Sequence, residues 1–198
     1  MEQSLHNAGF NMDDVTDVVL THLHFDHAGG STTRVGDRCV PRFPNAMYHV
    51  QRDHFEYALK PSHRERASFL PDDFVPIGAS GQLNLVEESG LLMPGITVRV
   101  VNGHTSAQQI VKISGPQGTI VYVADLLPTV HHLRLPWIMA YDVRPLETLE
   151  EKAVFLDQAV ARNWQLFFEH DPDVAVASVE QTERGVQYSN PRPLSELF

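Results

Sequence analysis

"VTDVVL" (15–20), running straight into "THLHFDHAGG" (21–30), is the stretch that decides how this chain is read. Its first six residues are a β-branched, apolar run, short enough for a buried strand. Three histidines and one aspartate then fall within six positions, as His22, His24, Asp26 and His27, before the chain reaches Gly29 and Gly30. At the chain's own frequencies of His and Asp, H-x-H-x-D-H arises by chance about 0.002 times in a sequence of this length. An H-x-H pair in extended or looped backbone sets two imidazoles on the same side, where both reach one ion. Asp26 and His27, one step further round the turn, are placed to face a second. Neutral imidazole and carboxylate suit borderline divalent ions; zinc is the default, and manganese, cobalt and iron also fit.

A six-position motif leaves each of two ions short of ligands, so the remaining ones must come from elsewhere in the chain. Three strand ends offer them. His104 follows "ITVRVVNG", Asp125 closes "TIVYVA", and His170 follows "QLFFE". Each has a blander reading alone: a single histidine after a strand is more often a hydrogen-bonded surface or core residue, and Asp125 is also suited to capping the next segment. Coupled to the first cluster, all three become candidate ligands.

The surrounding pattern is α/β. "MEQSLHNAGFNMDD" (1–14) predicts a short helix closed by Gly9 and an Asp-rich turn. "MYHV" (47–50) predicts a strand, and "QRDHFEYALK" (51–60) and "SHRERASFL" (62–70) predict two short helices separated by Pro61. Residues 71–95, rich in Pro, Gly and acids, read as loop with one strand at "LNLV" (83–86). "ITVRVV" (96–101), "QQIVKI" (108–113) and "GTIVYVAD" (118–125) are strand-like runs with short gaps, expected as an antiparallel meander. "LETLEEKAVFLDQAVARN" (146–163) has helical apolar spacing, and "WQLFFEHD" and "VAVASV" predict two more strands.

Composition narrows the function classes. Hydrophobic residues make up 42% and charged residues 20% of 198 residues, an ordinary globular balance that fits one domain spanning 1–198. The formal charge is −10, and no stretch gathers the basic residues into a phosphate-tracking stripe, which disfavours nucleic acid as a partner. No apolar run approaches membrane-spanning length, and the N-terminus lacks the pattern of a leader, so a cytoplasmic protein with no membrane partner is expected. Cys39 is the single cysteine, which excludes an internal disulfide and a thiolate metal cluster.

"VVLTHLHFDHAGG" with "NGHTS", "VYVAD" and "FEHD", in that order, resembles the metallo-β-lactamase superfamily of metal-dependent hydrolases. Within it the chain is similar to the branch of lactonases, arylesterases and organophosphate hydrolases. The resemblance covers about residues 5–180 and implies an αββα sandwich. It implies that His22, His24 and His104 hold a first metal, that Asp26, His27 and His170 hold a second, and that Asp125 bridges the two. Asp26 and Asp125 are thereby the expected catalytic carboxylates. The resemblance also implies a hydroxide between the ions as nucleophile, since metal coordination lowers the pKa of water from 15.7 toward about 7.

Three departures from the family shape the expectations. Family members carry several strands before the histidine motif, and here about twenty residues precede it, so part of the N-terminal half of the sandwich is expected to be absent. A sheet shortened in this way exposes an edge, which predicts a homodimer or higher oligomer covering the gap. "GHTSAQQ" replaces a Pro-Gly-His continuation without costing a ligand. Pro128 stands where related quorum-signal lactonases place a tyrosine, which disfavours acyl-homoserine lactones as substrates.

The expected activity is therefore hydrolysis of ester-like bonds in small molecules: aryl esters or lactones, with phosphotriesters as a side activity. β-Lactam opening and an inactive metal-binding or assembly domain are the alternatives. His131, His132, Trp137, Met139 and Tyr141 are weighed between lining a substrate pocket and packing the loop or core. His6, His49, His54 and His63 are expected to face solvent.

Overall fold

The structure is a computed structural model that describes residues 1–193. The chain divides into two compact units, Met1–Glu87 and Glu88 onward, each with its own sheet and core.

The first unit opens with α1 (Glu2–Asn7), ended by Gly9 in the left-handed region at φ 85°. A short 3-10 turn follows, in which Asp14 accepts the backbone N–H of Asn11 at 2.8 Å. Strand β1 (Asp17–Val19), α2 (Phe25–Ala28), the hairpin β2 (Thr32–Val35) and β3 (Arg38–Pro41), and β4 (Met47–Gln51) come next. Then come α3 (Arg52–Leu59), α4 (Pro71–Ser80) and β5 (Leu83–Val86). β4 pairs in parallel with β1 on one side and β5 on the other, matching Val18 to Tyr48 and His49 to Asn84. Leu20, Leu23, Ala28, Tyr48, Val50, Phe69, Phe74 and Ile77 belong to one buried cluster. Tyr48 is fully buried because its hydroxyl is satisfied: it donates to the Ser31 carbonyl and accepts from the Phe43 N–H, both at 3.0 Å.

Two expectations for this unit are corrected. Residues 71–80 form a helix, not a loop, and the punctuation was present: Pro71 in the first turn, acidic Asp72 and Asp73 beside it, and Gly81 at φ 82° after the end. Pro76 inside that helix has no N–H for the Asp72 carbonyl four residues back, and the Thr32 hydroxyl donates to that oxygen at 2.9 Å instead. "SHRERASFL" forms turns, not a helix. Glu65 is drawn inward to 4% exposure, with the Tyr57 hydroxyl donating to it, and the Ser68 carbonyl accepts the Phe25 N–H at 2.8 Å. Tertiary partners outweigh the local helical pattern there.

The second unit contains β6 (Gly90–Met93), β7 (Ile96–Val101), β8 (Gln108–Gly115), β9 (Gly118–Tyr122), α5 (Pro145–Ala161), β10 (Gln165–Phe167), β11 (Val176–Thr182) and β12 (Gly185–Arg192). They form a seven-stranded sheet in the order β12-β11-β10-β9-β8-β7-β6. All neighbours are antiparallel except β9 and β10, which run parallel with α5 in the connection between them. The meander expected from residues 96 to 125 is present, and β6 and β12 add strands beyond the expected ones. Helix α5 buries Thr148, Lys152, Phe155, Leu156 and Ala159, the i, i+4, i+7, i+8, i+11 stripe of one face. Phe155, Leu156 and Ala159 join Val101, Ile110, Val121 and Leu166 in one core. Burying side chains such as Phe155 and Leu156 contributes about 1.5–3 kcal/mol each.

Among the described residues, no helix is long and apolar enough to cross a membrane.

Candidate metal centre

In the first unit, β1 delivers the chain to a turn in which His22 and His24 are both buried. His24 sits at the N-cap of α2, whose four residues carry Asp26 and His27. The ring of His22 lies 4.6 Å from that of His24 and 4.0 Å from that of His27, centroid to centroid. His27 Nε2 is 3.5 Å from Asp26 Oδ2. A Cβ at Gly29 would stand 2.5 Å from the Phe25 carbonyl oxygen, which accounts for the glycine that closes the motif. The turn is braced from behind: the Leu23 N–H donates to His54 Nε2 at 2.8 Å, and Glu65 Oε1 lies 3.5 Å from His24 Nε2.

In the second unit, three strand ends converge. His104 follows β7, Asp125 lies in a 3-10 turn just after β9, and His170 follows β10. Asp125 stands between the two histidines, with Oδ2 at 3.0 Å from His104 Nε2 and Oδ1 at 3.1 Å from His170 Nε2. Glu169 offers a further carboxylate oxygen within 4.8 Å of donor atoms of Asp125 and His170. His104 Nδ1 lies 2.9 Å from Asp142 Oδ1. Burial pushes the His104 imidazole down, but its hydrogen bonds to Asp125 and Asp142, and their charges, outweigh that and raise it to about 9.

The sequence profile of the Metallo-beta-lactamase superfamily matches residues 1–181. The chain belongs to the metallo-beta-lactamase superfamily. It is 28% identical to the N-acyl homoserine lactonase AttM of Rhizobium radiobacter over 173 residues, covering 83% of this chain and 61% of that protein. It is 30% identical to the N-acyl homoserine lactonase AiiA of Bacillus thuringiensis subsp. kurstaki over 124 residues, 61% of this chain and 42% of that one. The chain thus spans about three fifths of the length of the first relative. Among solved structures, a probable metal-dependent hydrolase from Staphylococcus aureus matches with a TM-score of 0.86 at 26% identity, over 98% of this chain and 68% of that one. AidC, described as a dizinc quorum-quenching lactonase, matches with a TM-score of 0.82 at 23% identity, over 98% and 69%, a likeness of fold. The metallo-β-lactamase fold expected from the motif is therefore the fold of this chain.

The donor set fits the divalent ions that such a superfamily member implies. Two ligand atoms at about 2.0–2.1 Å from one tetrahedral ion stand about 3.3 Å apart, close to the spacing at which Asp125 presents one oxygen to His104 and the other to His170. The ring nitrogen of His104 that faces Asp125 is Nε2, because Nδ1 is held by Asp142.

Other expectations for histidines divide. His6 and His63 are exposed, as expected. His54 is fully buried as the acceptor behind Leu23, and His49 is 7% exposed, tied to Asp17 at 2.7 Å and Asn84 at 2.8 Å. Both lie on elements whose polar neighbours suggested solvent, and both turn inward to satisfy buried partners. In the loop after β9, Trp137 is 47% and Tyr141 76% exposed, so neither seals the core. His132 is half-buried, its Nδ1 2.9 Å from Thr129 Oγ1. Asp142 and Thr148 carry no local sequence signal of a role at the site, whereas Glu169 carries one, its place beside His170.

Proposed function

We propose that this superfamily member is a dinuclear metal-dependent hydrolase that opens ester-like bonds in small molecules. The observation that carries this reading is Asp125, a buried carboxylate with one oxygen 3.0 Å from His104 and the other 3.1 Å from His170, the disposition a bridging ligand needs. His22, His24 and His104 would hold the first ion, and Asp26, His27 and His170 the second, with Asp125 shared. When bound, the ions would lower the pKa of a coordinated water toward about 7 and polarise the substrate's carbonyl or phosphoryl oxygen. Zinc is the default from the ligand types, with manganese, cobalt and iron as fitting substitutes.

The chain's own groups have separate tasks. Asp125 and Asp26 are the catalytic carboxylates: both would set the charge of the site and orient the attacking water, and Asp26 would accept its proton. Two divalent charges against these two carboxylates leave the site electropositive, which favours a developing oxyanion. Exposed Trp137 and Tyr141 offer apolar contact to a substrate body.

Lactones and aryl esters are the proposed substrates, with phosphotriesters as a side activity. The relatives AttM and AiiA are N-acyl homoserine lactonases, which supports a lactone. Pro128 donates no hydrogen bond to a substrate, which favours simple lactones and aryl esters over acyl-homoserine lactones. The metal-loaded protein, assayed on an aryl ester, a γ-lactone, an acyl-homoserine lactone, a phosphotriester and a β-lactam, should turn over the first two fastest. Failure on all five with the site loaded would refute the reading.

The same reading takes residues 1–198 as one hydrolase domain working in the cytosol as a homodimer. Leu91, 73% exposed on the edge strand β6, supports association. Sedimentation that shows only monomer would overturn the dimer.

A further inference from the structure

We propose that Asp142 is the positioning carboxylate of His104 and that Thr148 holds it in register. The inference rests on the metal-site reading above. The Asp142 side chain is 1% exposed, and both of its oxygens are engaged. Oδ1 lies 2.9 Å from His104 Nδ1, and Oδ2 accepts the Thr148 hydroxyl at 2.7 Å. Each ring nitrogen of His104 faces a carboxylate, Nδ1 that of Asp142 at 2.9 Å and Nε2 that of Asp125 at 3.0 Å. With Nδ1–H donated to Asp142, Nε2 would be the atom left to meet an ion beside Asp125.

The surrounding backbone fixes this arrangement. The Val143 N–H donates to the His104 carbonyl at 3.2 Å, and the Arg144 N–H to the Gly103 carbonyl at 2.9 Å, so the segment bearing Asp142 runs alongside the turn bearing His104. Thr148, in the second turn of α5, packs so closely on Gly103 that a Cβ there would stand 2.1 Å from its Oγ1. One turn on, Glu151 accepts the N–H groups of Asn102 at 2.7 Å and Gly103 at 3.1 Å. Lys152 donates to the Arg134 and Trp137 carbonyls at 3.0 and 2.7 Å. One face of α5 thus grips both the His104 turn and the loop that leads to Asp142. Neither Asp142 nor Thr148 is among the proposed metal ligands, so their effect on an ion must pass through His104.

The test compares wild type with Asp142→Ala, Thr148→Val and Thr148→Ser by cobalt titration, reading the visible absorption of each bound ion and its affinity by chelator competition. Thermal denaturation of the metal-free proteins is run alongside. Wild type should bind two cobalt ions. Asp142→Ala should weaken one of them by about 10- to 100-fold and change its spectrum. Thr148→Val should do the same to a smaller extent, and Thr148→Ser, which keeps the hydroxyl, should restore both affinity and spectrum. Wild-type cobalt binding by Asp142→Ala and Thr148→Val would overturn the proposal while leaving the metal-site reading intact. Absence of cobalt binding by folded wild type would overturn the metal-site reading and this proposal with it. Should Asp142→Ala fail to fold, the Thr148 pair decides, because a structural tether alone would alter melting without altering the spectrum of a folded, loaded protein.

Discussion

The two units supply their candidate ligands in opposite ways. In the first, four residues lie within six positions of one turn that sets His22 against His24 and His27, with His54, Glu65 and Ser68 bracing it. In the second, His104, Asp125 and His170 come from the ends of three strands, and the sheet order, with β10 running parallel beside β9, brings them together. A contiguous motif tolerates a change of register elsewhere; a constellation gathered by a sheet depends on every connection that fixes it. The second unit should therefore be the more sensitive to substitutions away from the ligands.

The largest difference should appear on the ligands themselves. If Asp125 is shared as proposed, Asp125→Asn should release both ions and reduce hydrolysis to background. His24→Ala should likewise abolish hydrolysis but empty one position first, which elemental analysis at graded metal concentrations will resolve. Equal retention of both ions by the two variants would erase the contrast.

Next comes Gly103→Ala. Its Cβ would fall 2.1 to 2.5 Å from Thr148 Oγ1, N and Cα, two of them backbone atoms that cannot rotate away. The expected cost is about 3 kcal/mol of stability, measured by denaturant unfolding of the metal-free protein. The matching change in the first unit, His54→Leu, keeps the bulk and removes the acceptor of the Leu23 N–H, at an expected cost of about 2 kcal/mol.

The smallest expected effect concerns pH. Burial lowers the Lys152 ammonium from 10.5 to about 8, only partly countered by Asp142. Between these values the unfolded chain binds more protons than the folded one, so this group's contribution to stability rises as pH rises from about 8 toward 10.5. Wild type should gain stability relative to Lys152→Met between pH 8 and 9; a flat difference would remove the buried lysine as a titrating brace.

What was legible in the sequence follows the same division. The motif at 22–27, the meander and α5 all rest on patterns that repeat within a few residues. His104, Asp125 and His170 were reachable because each stands at the end of a strand-like run. Asp142 lies 38 residues beyond His104 and is joined to it only by folding, and nothing local marks it. His49 and His54 depart from expectation for a related reason: charged neighbours suggest solvent, whereas Asp17, Asn84 and the Leu23 N–H recruit them inward. In α4, Pro71, the two aspartates and Gly81 spell the ends of a helix within a Pro-rich composition that reads as loop.

The most direct test of the central claim is the metal content per chain, by elemental mass spectrometry, of protein purified without added metal and again after reloading. Close to two divalent ions per chain is the expected result. A folded protein that holds none, even after reloading, would contradict the dinuclear site.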